Sequence, residues 1–190
     1  DIDERIVQLA ELVDFDRAPI NDIKELTGPV DVGLIEGGCC NEENVHNLQH
    51  FREHCDVLVS LGECAICGGI PAMRNNIPLQ ECLDEAYRKG PSVVNPSGQI
   101  PNDPELPLLL NRVYPCHEVV KMDYHLQGCP PPADANWRAL QALLTGQPLQ
   151  LPLRKVGQGE ARRHGIYANP GARELPCKGL SQRDDGAFGR

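Results

Sequence analysis

Six residues, Asp56 to Leu61 (DVLVSL), make a near-continuous apolar run that stops at Gly62. A short run without polar alternation suits a parallel strand covered on both faces. The residues behind it constrain the chain further. Gly62-Glu63-Cys64-Ala65-Ile66-Cys67-Gly68-Gly69 places cysteines in a glycine-rich turn, and Gly128-Cys129-Pro130-Pro131 does the same behind a second apolar segment. Such turns expose backbone N–H groups and leave space for a bulky inorganic group. Iron–sulfur clusters need both, because their irons take thiolates and their sulfides accept N–H hydrogen bonds.

The remaining periodicity supplies the frame. Ile2, Ile6, Leu9 and Val13 share one face of an opening helix. Val30 to Ile35 reads as a strand ended by Glu36-Gly37-Gly38. Asn41 is placed to cap a helix with Glu42 and Glu43 in its first turn and Val45, Leu48, Phe51 and Cys55 inward. Gly62 to Asn76 is expected to be a long loop, and Pro78 to Tyr87 a helix burying Leu79, Cys82, Leu83 and Ala86. The proline-punctuated stretch from Gly90 to Pro107 reads as an irregular excursion. Val119 to Leu126 is a further strand. Asp134 can cap a last helix with Trp137, Leu140, Leu143 and Leu144 inward and Gly146 as its stop. Strands alternating with helices imply an α/β fold with a parallel sheet and helices on both faces. An α/β domain usually opens on a strand, and this chain opens on a helix at Asp1, so the natural sequence is expected to extend upstream.

In an open parallel sheet, the turns after the strands lie on one edge, where ligands bind. The turns carrying Cys39/Cys40, Cys64/Cys67 and Cys129 are therefore expected to converge. Cys64 and Cys129 are the leading metal-ligand candidates, because both sit in Gly/Pro turns rather than on apolar faces; the ordinary alternative is a small buried hydrophobe. Cys67 forms a C-x-x-C with Cys64, which reads equally as ligation, a redox dithiol or coincidence. Cys39 and Cys40 are adjacent, so at most one of them reaches a shared metal. Cys55 and Cys82 fall on helix faces and read as core, Cys116 is ambiguous, and Cys177 reads as a free thiol. His117, His125, Glu36 and Glu63 border these turns, as structural hydrogen-bonding groups or as a proton path.

Composition sets the boundaries. A net charge of −9 argues against nucleic acid as the main partner. No apolar run approaches the roughly 18–20 residues that span a bilayer. Nine irregularly spaced cysteines in 190 residues do not read as a secreted disulfide framework, but as thiols of a reducing compartment with some on metal. Phosphate-loop, dinucleotide and zinc-protease signatures are absent. From Arg154 to Arg190 large apolar residues become sparse, which predicts an extended or disordered tail after a domain of residues 1–153.

Several segments together resemble the small, electron-transferring subunit of [NiFe] hydrogenases, most nearly the short form of cytoplasmic, bidirectional NAD-linked enzymes. They are Glu36-Gly37-Gly38 with Glu42-Glu43-Asn44, His50-Phe51-Arg52 to Asp56, Gly62 to Arg74, Val113 to Tyr124, and Gly128 to Pro131. The resemblance covers residues 1 to 153 and implies a flavodoxin-like domain holding a [4Fe–4S] cluster beside the NiFe centre of a partner large subunit. It implies that Cys64 and Cys129 are the third and fourth ligands, with Gly62, Glu63, Gly128 and Pro130 shaping the pocket. The first two ligands would come from a C-x-x-C upstream of Asp1; without it, Cys39, Cys40 or Cys67 would have to substitute. It further implies electron transfer to a diaphorase module in the cytoplasm, with no catalytic residue in this chain. The alternative resemblance is to the cluster-binding subunit of respiratory complex I, which shares Gly-Cys-Pro-Pro. A scaffold domain without a cluster is the reading from a different class.

Overall fold

In the computed structural model, residues 4–147 other than residue 20 are described; the expected tail, Cys177 and Ile2 lie outside them. Helix α1 (Arg5–Leu12) leads to β1 (Val30–Glu36), a short β2 (Cys39–Asn41), α2 (Glu42–His54), β3 (Cys55–Leu61) and α3 (Gly62–Cys67). A 3₁₀ turn (Pro71–Asn76) and α4 (Leu79–Asp84), which passes into a π-helix (Glu85–Lys89), come next. After an irregular stretch come β4 (Leu109–Tyr114), a 3₁₀ turn (Cys116–Glu118), β5 (Tyr124–Leu126) and α5 (Ala133–Leu144). Among these elements no helix is long and apolar enough to cross a membrane.

The main sheet has the order β1-β3-β5, all parallel. The DVLVSL run is its middle strand, which is why it carries almost no polar residue: Leu58, Val59 and Ser60 are completely buried. Successive side chains point to opposite faces. Leu58 packs with Leu48 of α2 and Ala65 of α3, whereas Val59 packs with Leu126 and with Ala139 of α5. Helices therefore cover both faces. Full burial of a side chain such as Leu58 contributes roughly 1.5–3 kcal/mol.

Helix α2 forms as expected. The Asn41 side chain accepts the Asn44 N–H at 2.8 Å, and Glu42 and Glu43 occupy the first turn. Its Arg52 then fastens the sheet. The guanidinium donates to the Asp123 carboxylate at 2.6 Å and to the Asp56 carbonyl at 3.0 Å. Asp123 accepts the Leu58 N–H at 2.8 Å, and its own N–H donates to the Leu58 carbonyl at 2.8 Å.

That fastening corrects one expectation. The last strand does not begin at Val119; it begins at Tyr124, because Asp123 commits its side chain and N–H to Leu58, and Val119 and Val120 close a turn onto Cys116. A second correction is the β2–β4 pair, which is antiparallel with Cys39 opposite Tyr114 and was not visible in the periodicity. Side chains from the preceding 3₁₀ turn bind the backbone of strand β4 (LLNRVY). Arg74 donates to the Leu110 and Asn111 carbonyls at 2.8 and 3.1 Å, and the Asn75 amide bonds both backbone groups of Val113. The stretch expected to be loop, Gly62–Asn76, thus contains α3 and a 3₁₀ turn whose side chains act as an extra strand partner. The inward faces of the outer helices also differ from expectation. In α5 the buried residues are Asn136 and Ala139, while Leu144 is exposed. No residue of α4 is buried, and Ile6 of α1 is exposed.

Candidate cluster-binding edge

The parallel register sets Ser60 beside His125 and Leu61 beside Leu126, so the turns after β3 and β5 leave the sheet at the same edge. They are tied to each other. The Glu63 N–H donates to the Gly128 carbonyl at 3.0 Å, and the Glu63 carboxylate accepts the Gly128 N–H at 3.1 Å. One residue thus meets both backbone groups of its partner, and the cysteine after each is held close to the other.

Glycine permits this approach at two positions. Gly128 has φ +142°, and a Cβ there would stand 2.5 Å from the Pro131 Cα. Gly69 has φ +52°, and a Cβ there would stand 2.9 Å from the Cys64 sulfur. Both conformations strongly disfavour other residues, and at Gly69 the missing Cβ leaves the Cys64 sulfur clear. The Cys129–Pro130 peptide is cis, and Pro131 is buried beneath the turn.

Cys64 and Cys129 are both half-buried free thiols. Burial pushes the Cys64 thiol above its ordinary pKa, and the neighbouring Cys129 pushes it further by charge repulsion; Glu63 and Glu36 add to this, while the Ile70 N–H, donating to the sulfur, works the other way. Two thiolates in this recess repel each other unless a cation lies between them. Iron would supply such a cation, and the Ile70 N–H is the kind of donor that cluster and thiolate sulfurs accept. The donor set therefore fits two corners of an iron–sulfur cluster.

The other candidate residues take different partners. The buried Cys67 thiol donates to the Glu63 carbonyl at 3.2 Å, one turn back along α3. The Cys40 thiol and N–H both donate to the Asn44 side chain, at 3.2 and 3.1 Å. Cys39 and Cys116 are buried in one apolar cluster, and their thiols are hydrogen-bonded to each other; that bond and burial push the Cys116 pKa far upward. Cys116 also donates to the Gly37 carbonyl at 3.4 Å. Cys55 is buried, but as the first residue of β3 rather than on a helix face, and Cys82, expected in the core, is only half-buried on α4. Glu36 is exposed at the end of β1. His125 shares a hydrogen bond with the buried Ser60, and its ring meets that of His117 edge-on at 6.1 Å; partial burial, then His117, lower its pKa.

The roles of Gly69, Ile70 and Gly38 were missed by sequence reasoning. Gly38 lies against the Cys64 carbonyl, which a Cβ would approach to 3.1 Å. The Gly68-Gly69 doublet after Cys67 was the available signal for the first two; nothing local marks Gly38, whose neighbour is 26 positions away.

Several known proteins are similar to this chain. Residues 1–143 match the family described as the 20 Kd subunit of NADH ubiquinone oxidoreductase. The delta subunit of the NAD-reducing hydrogenase HoxS from Cupriavidus necator is 46% identical over 153 residues, covering 80% of this chain and 73% of that one. A subunit of the F420-non-reducing hydrogenase from Methanothermobacter thermautotrophicus is 38% identical over 158 residues, 80% of this chain, which spans 50% of that longer relative. A chain in the crystal structure of an NAD+-reducing [NiFe]-hydrogenase in the H2-reduced state superimposes with a TM-score of 0.77 at 46% identity, covering 80% of this chain and 85% of that one.

Proposed function

Because this chain belongs to the NADH ubiquinone oxidoreductase 20 Kd subunit family, we propose that it is the electron-transfer subunit of an NAD-linked [NiFe] hydrogenase, with Cys64 and Cys129 as two ligands of a [4Fe–4S] cluster. The observation that carries this reading is the Glu63–Gly128 exchange, which brings the two half-exposed cysteine turns to one edge. The hydrogenase relatives support the choice over a complex-I-like role.

When bound, the cluster supplies one-electron transfer. The chain's own residues do the rest. Glu63 sets the spacing of the two sulfurs by gripping Gly128. Gly62, Gly69 and Gly128 keep side chains out of the recess, and Pro130 with Pro131 stiffens its far wall. The Ile70 N–H donates to the Cys64 sulfur, a bond that favours the thiolate and raises the potential of a metal held there. A four-thiolate set needs two further cysteines, which these two turns do not supply. Hydrogen chemistry belongs to a NiFe centre in the partner large subunit, and electrons leave toward a diaphorase module. All eight described cysteines are free thiols, the state kept by a reducing compartment such as the cytoplasm.

The test is the assembled complex. Hydrogen-dependent reduction of NAD, with iron and acid-labile sulfide in this subunit, is the expected result. A complex that reduces quinone from NADH and is indifferent to hydrogen would move the chain to the respiratory branch of the family, and a subunit free of iron and sulfide would end the cluster reading.

A further inference from the structure

The final turn of α2 carries a group of side chains that the cluster edge does not use. His50, Glu53 and His54 stand at helical spacings of three and four, which puts them on one face. One donor atom from each lies within 4.8 Å of the other two, and this is the one such group of three among the described residues. The two imidazole rings are 4.1 Å apart, tilted by 46°.

A hydrogen bond prepares one ring for ligation. His54 Nδ1 lies 2.8 Å from the His50 carbonyl oxygen. A carbonyl only accepts, so Nδ1 carries the proton and donates, and Nε2 is left with its lone pair. Metal-bound histidines are held in this way, with the second ring nitrogen donating to a backbone carbonyl. The charge environment favours a cation as well. The group ends a thirteen-residue helix, whose C-terminal dipole is negative, and Glu53 adds a carboxylate. The nearest basic residue of the helix, Arg52, directs its guanidinium to Asp123 and to backbone carbonyls.

From these observations we propose that His50, Glu53 and His54 form a second metal site, for a borderline divalent cation such as zinc or nickel. Imidazole with one carboxylate suits these ions. Nitrogens about 2.0–2.1 Å from a tetrahedral metal stand roughly 3.4 Å apart, and the donor atoms here lie within 4.8 Å of one another. Three protein donors leave a fourth position for water. The site lies at the start of β3, whereas the Cys64 turn follows its end; the strand separates them by about 20 Å. The site is therefore independent of the cluster and of the proposed activity.

Cobalt(II) tests this, because its spectrum separates imidazole and carboxylate ligation from thiolate ligation. Cobalt is titrated into the purified, cluster-loaded complex and into the same complex carrying His50→Gln, His54→Gln, Glu53→Gln or His46→Gln. One equivalent should bind without thiolate charge-transfer absorption. Its affinity should fall at least about tenfold in either His50→Gln or His54→Gln, fall less in Glu53→Gln, and stay unchanged in His46→Gln. The cluster's paramagnetic signal and helical circular dichroism report that each variant is folded. Equal cobalt uptake by the wild type and the His50→Gln/His54→Gln double variant would overturn the proposal, as would bound cobalt showing only thiolate bands.

Discussion

Two pairs of cysteines in this molecule stand close together and have opposite characters. Cys64 lies in the short helix α3 behind β3 and Cys129 in the turn behind β5; both remain half-buried, beside Gly69 and beside Gly128 and Pro130. Cys39 and Cys116 come from β2 and a 3₁₀ turn, are buried among Leu48, Leu58 and Tyr114, and interact with each other, while Cys116 donates to the Gly37 carbonyl. Proximity alone is therefore not what makes a ligand pair. The first pair keeps its sulfurs half-buried at the sheet edge, where the proposed cluster would take them; the second lies within the core, as small hydrophobes do.

The strongest challenge to this contrast is substitution at each pair. In the reduced complex, Cys129→Ala should abolish the paramagnetic signal of the cluster, whereas Cys116→Ala should retain it. Loss in both, or in neither, would erase the distinction. Gly128→Ala comes next in size. Its Cβ would collide with the Pro131 backbone, so the turn must move; a loss of about 3 kcal/mol in urea unfolding is expected, together with a diminished cluster signal even though no sulfur is removed. A smaller effect is expected from Cys116→Ala on stability, about 1 kcal/mol for the vacated volume, measured by the same unfolding curve.

The smallest effect is set by pH. Partial burial pushes the Asp123 carboxyl upward, but its bonds from Arg52 and the Leu58 N–H outweigh this and hold its pKa below the usual carboxylate range. Its contribution is therefore complete above the unfolded value of about 3.9 and is lost as the pH falls through the depressed folded value. Because Asp123 fixes the start of β5, and β5 leads to Cys129, acid should weaken the ligand pair's support. Unfolding free energies should stay level on this account from pH 8 to pH 5 and decline below about pH 4, and Asp123→Asn should remove that part of the decline.

Much of this arrangement was legible beforehand because it depends on neighbours in sequence. The middle strand showed itself as an apolar run, α2 through Asn41 and its acidic first turn, and the candidate cysteine segments through glycine and proline near Cys64 and Cys129. The features that escaped depend on distant partners. Strand β4 is held through its backbone by Arg74 and Asn75 from another segment. Strand β5 is short because Asp123 is engaged with Leu58. Glu63, which bordered the turns as a carboxylate of open role, is bonded to Gly128, 65 positions later.

By itself the sequence determined that Cys64 and Cys129 follow parallel strands that end at one edge, since strand periodicity is local. That Cys64 and Cys67 stand in a short helix and Cys39 and Cys40 in a strand, rather than in turns, was not visible in it. Only the tertiary structure decided which sulfurs remain available. Cys39, Cys40 and Cys67 also border that edge in the chain, yet Cys116, Asn44 and the Glu63 carbonyl take up their thiols. A thiol's availability depends on burial and on hydrogen-bond partners contributed by other segments, and those are fixed only when the segments pack.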